Sequence, residues 1–165
     1  MEMHIVHYNT NYSNFSQALD KHDGLAVLAF LFEVGNHNVH FDDLVNHLSK
    51  VPHKGDHTML EKFSFCHILP STLDTYCRYS GSLTTPPCYE SVNWFIFYET
   101  IEISEQQLNA FRHMHQNFEN QTSGYISNDF RPTQLLNLRK VSCSRDVRTG
   151  GNKKANKGNP KKHFA

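Results

Sequence analysis

A glutamate and a histidine two residues apart open the chain, in Glu2-Met3-His4-Ile5-Val6-His7-Tyr8. Side chains alternate between the faces of an extended strand, so Glu2, His4, Val6 and Tyr8 share one face and His7 points to the other. An imidazole with a carboxylate on its own face could serve as a metal ligand: one ring nitrogen would be left to bind an ion while the other donates to the carboxylate, which fixes the tautomer and raises ligand basicity. Against this, a lone histidine in a sheet is ordinarily a satisfied structural residue, and Glu2 a solvated strand-end carboxylate. Two hydroxyls, Thr84 and Thr85, stand immediately before Pro86-Pro87, which stiffen their loop. The four cysteines, Cys66, Cys77, Cys88 and Cys143, include no Cys-x-x-Cys pair and no histidine at finger spacing, so a finger-type zinc site is not expected.

Three Asn-x-Ser/Thr sequons, at Asn11, Asn14 and Asn120, are candidate glycosylation sites. Together with the cysteines they point to an oxidising, secreted setting. Composition is that of one globular domain: 165 residues with 38% hydrophobic and 12% aromatic content exclude collagen-like and fully disordered chains. The longest apolar run, 25–32, meets Glu33 far short of the ~18 residues a spanning helix needs, so no membrane span is expected. The N-terminus reads as strand rather than as a secretory signal, lacking a basic region and a long apolar stretch.

A formal net charge of zero conceals an asymmetry. Residues 139–165 hold nine Lys or Arg against one acid, Asp146, and residues 1–138 carry the compensating net −8. The result is an acidic body with a basic Gly/Asn/Lys tail that has too little apolar surface to offset its ordering entropy. The expected division is a domain over 1–142 and a disordered tail over 143–165. Such a tail is a solvated terminus or an electrostatic tether to an anionic matrix or mineral surface; no nucleic-acid partner is expected.

The elements that must position these groups are mainly strands. After the alternating strand 2–9 comes a polar Asn/Ser loop, and residues 24–35 form a strand apolar enough to be buried on both faces. Phe41, Leu44, Val45 and Leu48 fall at helical spacing and define an amphipathic helix over 41–49, ended by Pro52. Strand returns at 73–79, turns through Ser80-Gly81-Ser82, and resumes over 88–98, with Val92, Trp94, Ile96 and Tyr98 on one face. Ser104-Glu105-Gln106-Gln107 is a capping box that starts a helix reaching about residue 115. Residues 128–141 form an irregular final ordered stretch.

Four segments carry a resemblance: Glu2-Met3-His4-Ile5-Val6-His7-Tyr8-Asn9, Gly24-Leu25-Ala26-Val27-Leu28, Tyr79-Ser80-Gly81-Ser82-Leu83-Thr84-Thr85-Pro86-Pro87-Cys88 and Asn128-Asp129-Phe130-Arg131-Pro132-Thr133-Gln134. In order and spacing they resemble the alpha-class carbonic anhydrases, over about residues 1–142. The resemblance implies an α+β, mainly β fold: the C-terminal portion of a large, twisted, mostly antiparallel central sheet with short peripheral helices. It also implies reversible hydration of carbon dioxide to bicarbonate with Zn2+ as cofactor. In carbonic anhydrases three imidazoles hold the zinc, and the water it binds has an established pKa of about 7.

Residue by residue, the resemblance implies that His4 is a zinc ligand and Glu2 the acceptor behind it. Thr84 would orient the attacking hydroxide and Thr85 lie beside the bicarbonate site. Val6, Val27, Leu83, Val92 and Trp94 would form the apolar wall for carbon dioxide, and the Pro86–Pro87 bond would be cis. Taken singly, each wall residue reads as core. The family's other two ligands, in a His-x-His segment, its proton-shuttle histidine and the carboxylate partner of Thr84 have no counterpart here. The chain is therefore expected to be the C-terminal part of a longer, active enzyme and inactive alone, since opening inside a central strand would leave unpaired edges. Cys88 matches a cysteine that secreted members bond to one near their N-terminus. The remaining three then leave an odd thiol, open to a disulfide-linked oligomer. Gly150-Gly151-Asn152 in the tail resembles the Gly-x-Asn stretches of nacrein-like shell-matrix members, which implies calcium carbonate or acidic extracellular matrix as partners. A catalytically inactive binding or matrix protein is the alternative, and the sequence upstream of Met1 distinguishes the two.

Overall fold

The computed structural model describes residues 1–61, 63–119 and 124–144. Its elements run β1 (Glu2–Tyr8), α1 (Phe15–Ala18), β2 (Leu25–Val34), α2 (Asp42–Leu48), α3 (Phe65–Ile68), β3 (Tyr76–Gly81), β4 (Val92–Phe97), β5 (Ile101–Ile103), α4 (Glu105–Arg112) and β6 (Ser142–Cys143), with a 3-10 turn at Val39–Phe41. The strands form a mixed sheet in the order β1-β2-β4-β3-β6, and β5 pairs with β2 off that path. This is the mainly-β carbonic-anhydrase-like architecture that the motifs imply. β2 pairs in parallel with β4 and with β5, whereas β3 pairs antiparallel with β4 and with β6.

The chain resolves into two compact units, through both of which β1 and β2 run. One unit comprises Met1–Met3, Leu31–Ser71 and Glu99–Asp129. Its core holds Phe41, Ile68, Ile101, Ile103 and Leu108, and Phe32 meets Phe41 edge-on at 5.4 Å. The capping box forms as its sequence predicts: Ser104 Oγ accepts from the Gln107 amide at 3.2 Å while the Gln107 side chain accepts from the Ser104 amide. Gln107 is only 3% exposed, and its Nε2 donates to Asn38 O at 2.8 Å and to Asp42 Oδ1 at 2.9 Å. Every polar end of this buried amide is thereby satisfied, as burial requires. The helix stops at Arg112 rather than near residue 115; the His115 amide instead donates to Pro52 O at 2.7 Å.

The second unit comprises His4–Phe30, Thr72–Tyr98 and Phe130–Ala165. Its buried cluster is Ala18, Leu25, Val27, Ala29, Val92 and Trp94, with Tyr12, Leu19, Tyr79, Leu83 and Ile96 packed against it. Phe30 and Phe97 stack beside it at 4.6 Å. The polar loop after β1 carries a helix that its composition hides: Asn14 Oδ1 caps α1 by accepting from the Gln17 amide at 3.0 Å. Ala18 closes that turn so tightly that a Cβ on Gly24 would overlap its carbonyl oxygen, so only glycine fits there. Asn9 brackets the loop, with its amide donating to Gly24 O at 2.8 Å.

Burial of β2 on both faces holds only for its first part. Leu25, Val27, Ala29 and Phe30 are buried, whereas Leu31 and Val34 are 41% and 57% exposed. β6 carries the sheet to Cys143, one residue past the expected domain boundary at 142. Cys143 is the Cα partner of Cys77 and is disulfide-bonded to it, while the Ser144 amide donates to Tyr76 O at 2.9 Å. Cys66 is an exposed free thiol and Cys88 a half-buried one. The rest of the basic tail, 145–165, lies outside the described residues, as does the sequon at Asn120.

Candidate active site

His4 sits half-buried on β1, and its ring meets the Trp94 indole edge-on, with centroids 4.8 Å apart. Parallel pairing makes Val27 the Cα partner of Trp94, and Leu25 that of Val92. Period-two alternation then brings Val27, Val92 and Trp94 into one cluster, where they are 2%, 1% and 4% exposed. Leu83 packs against that cluster from the loop after β3. Val6 is 49% exposed and stands outside the buried group. Glu2 is exposed, two residues before His4 and on the same face of β1 by the strand's pleat.

Glycine permits the approach of indole to loop. A Cβ on Gly81 would come within 2.9 Å of both Trp94 Cδ1 and Tyr79 Cε2. In its absence Trp94 Nε1 reaches Ser82 O at 3.1 Å. The loop beyond is closed by the Leu83 amide donating to Tyr89 O and the Cys88 amide donating to Thr85 O, both at 3.0 Å. Its Pro86–Pro87 bond is cis, as the resemblance implies, and Cys88 has φ 58°. Thr84 is half-buried and Thr85 exposed on this loop.

Arg131 lies within the Asn128–Gln134 motif, where its sequence neighbours give it no role. Its guanidinium donates to Leu83 O and to Ser82 Oγ, each at 3.2 Å. Arginine's planar fork suits two acceptors at once, but nothing in the sequence indicates which loop the fork would grip. A cavity of about 400 Å3 lies here, lined among others by His22, Cys88, Glu90, Arg131 and Arg139. Its walls are charged and polar.

Tyr12 packs on that cluster and its hydroxyl donates to Asp23 Oδ1 at 2.7 Å. This hydrogen bond, with some burial and the carboxylate's charge, raises the phenol's pKa above its ordinary 10.0. The sequon residues Asn11 and Asn14 flank Tyr12 and are both exposed.

The donor set of this region does not by itself hold a metal. Among the described residues no three His, Cys, Asp or Glu side chains converge into a coordinating group. His4 brings one imidazole, and a tetrahedral site with an open position needs three protein ligands.

Residues 1–145 match the family model of eukaryotic-type carbonic anhydrases. The chain is 40% identical over 146 residues to human carbonic anhydrase 6, covering 87% of the chain and 46% of that protein. To bovine carbonic anhydrase 6 it is 37% identical over 146 residues, 87% of the chain and 45% of that protein. It thus spans under half the length of these curated relatives. With the motif order, the sheet and the family match in agreement, the chain belongs to the alpha-class, eukaryotic-type carbonic anhydrase family.

Proposed function

We propose that this region works within a zinc-dependent carbonic anhydrase that interconverts carbon dioxide and bicarbonate. The single observation that carries the reading is the placing of the His4 ring against Trp94, a member of the buried cluster that holds Val27 and Val92 and against which Leu83 packs. Carbon dioxide is uncharged and a poor hydrogen-bonding partner, so an apolar wall beside one imidazole is the chemistry it requires. His4 serves as one zinc ligand, Glu2 orients its ring, and the other two imidazoles come from chain outside these residues. Zinc, once bound there, supplies an activated water at neutral pH. On this reading the residues of this chain act around that centre: Val27, Val92, Trp94 and Leu83, with Val6, exclude water from the substrate. Thr84 orients the nucleophile by accepting its proton in a hydrogen bond, and Thr85 steadies the bicarbonate product.

The setting is extracellular. The Cys77–Cys143 bridge and exposed sequons at Asn11 and Asn14 support an oxidising compartment. Cys66, exposed and free, is the thiol through which copies could be disulfide-linked. The basic tail serves as a tether to acidic matrix or calcium carbonate, placing the enzyme among nacrein-like matrix members.

The test joins the 165-residue chain to an upstream segment carrying His-x-His and measures zinc content and carbon dioxide hydration. Alone, the chain should bind zinc weakly and be inactive; joined, it should hold zinc and hydrate carbon dioxide, and His4→Ala should abolish both. Stoichiometric zinc and full activity in His4→Ala would overturn the assignment.

A further inference from the structure

We propose that Arg131 is a positioning residue for Thr84, an inference that rests on the carbonic anhydrase reading above. The peptide unit between Leu83 and Thr84 links the two residues. Because that unit is planar, fixing the Leu83 carbonyl oxygen also fixes the Thr84 amide, and with it the axis about which the Thr84 side chain swings. Arg131 Nη1 holds that oxygen at 3.2 Å, while Nη2 holds Ser82 Oγ at 3.2 Å. From β4, Trp94 Nε1 holds Ser82 O at 3.1 Å, and the Leu83 amide is held by Tyr89 O at 3.0 Å. Both carbonyls, one amide and the one hydroxyl of Ser82-Leu83 are thus engaged directly before the reacting threonine. Trp94, which touches His4, and Arg131 both grip Ser82, and Arg131 grips Leu83 as well.

The chemistry of the grip requires arginine. A rigid fork bridges a carbonyl and a hydroxyl with two parallel donors, which an ammonium on a flexible stem does not. Among the described residues Arg131 Nε is buried without a hydrogen-bond partner, which costs free energy that the two Nη bonds offset. Arg139 is not redundant with it: its Nη1 reaches back to Ser80 O at 3.4 Å and its guanidinium lies 5.7 Å from the Tyr79 ring, both before the loop.

Trp94 is the sole tryptophan, so the chain has one indole N–H to observe. Hydrogen exchange at that N–H should be measured by NMR in the 165-residue chain and in Arg131→Met, Arg131→Lys, Ser82→Ala and Arg139→Lys. Loss of the charge-assisted bonds in Arg131→Met should speed indole exchange about ten- to a hundredfold while β2–β4 amides stay protected. Arg131→Lys should recover only part of this, and Arg139→Lys should leave the indole at its original rate. If Arg131→Met unfolds, seen as lost β2–β4 protection, Ser82→Ala decides: it should speed indole exchange alone. In the zinc-holding protein, Arg131→Lys should lower kcat about tenfold at unchanged KM and zinc content. An unchanged indole in folded Arg131→Met, or in Ser82→Ala, would overturn the proposal, as would full kcat in Arg131→Lys. If the wild type holds zinc yet does not hydrate carbon dioxide, the enzymatic reading fails, and the indole contrast still decides whether Arg131 sets the loop.

Discussion

Cutting the bridge between Cys77 and Cys143 should destabilise the second unit by an amount that follows from its geometry. The cysteines are 66 residues apart in sequence, and closing a loop of that size in the unfolded chain is worth about 4 kcal/mol on the chain-entropy account. Little else ties β6 down. It offers two residues to β3, with Ser144 adding bonds to Tyr76 O at 2.9 Å and to Asp74 O at 2.6 Å. Exposed bonds of this kind contribute about 1 kcal/mol each, so they cannot replace the covalent link. The assay is urea unfolding of Cys143→Ser against its parent, with Cys66→Ser and Cys88→Ser in both to prevent thiol exchange. At a slope of ~2 kcal/mol per molar urea, the midpoint should fall by about 2 M, and any change in slope should be a rise, because the released unfolded chain exposes more surface. Trypsin should then cut at Arg139 and Lys140 in the variant before it does so in the parent. A midpoint shift under ~0.5 M at unchanged slope would refute the argument, because the bridge would then not constrain the unfolded chain.

In the zinc-holding protein, Val27→Tyr should lower carbon dioxide hydration by at least about tenfold through overpacking against Trp94 while zinc content stays near that of the wild type; equal zinc loss in Val27→Tyr and His4→Ala would make Val27 a packing residue only. The Tyr12 phenol, raised by its bond to Asp23, should ionise above 10.0 and return toward that value in Asp23→Asn, as read by tyrosine absorbance. A raised folded value means that the bond's stabilisation is complete below the unfolded pKa near 10 and is lost as pH climbs through the folded one. Ending the chain at Ser144 removes seven Lys or Arg and one acid, so retention on calcium carbonate and acidic polysaccharide should drop. The retention of the untruncated protein should itself weaken as salt shortens the Debye length below ~8 Å; equal retention with and without the tail would eliminate the tether.

The sequence by itself determined the family, the capping box at Ser104 and the succession of the main strands along the chain. These depend on local pattern: period-two alternation, a cap that spans four residues, and a proline-stiffened loop whose composition is nearly unique. Tertiary structure alone decided what depends on residues far apart in the chain. Cys143 reads as the first residue of a basic tail until β6 sets it opposite Cys77, and no spacing rule selects one pairing from four cysteines. The short β5 is three residues long and finds its strand conformation only by pairing Ile101 with Phe32, a partner 69 positions away. Arg131 is silent in the sequence for the same reason. Its fork takes meaning from Leu83 and Ser82, 48 and 49 residues earlier, which only folding brings within hydrogen-bonding distance.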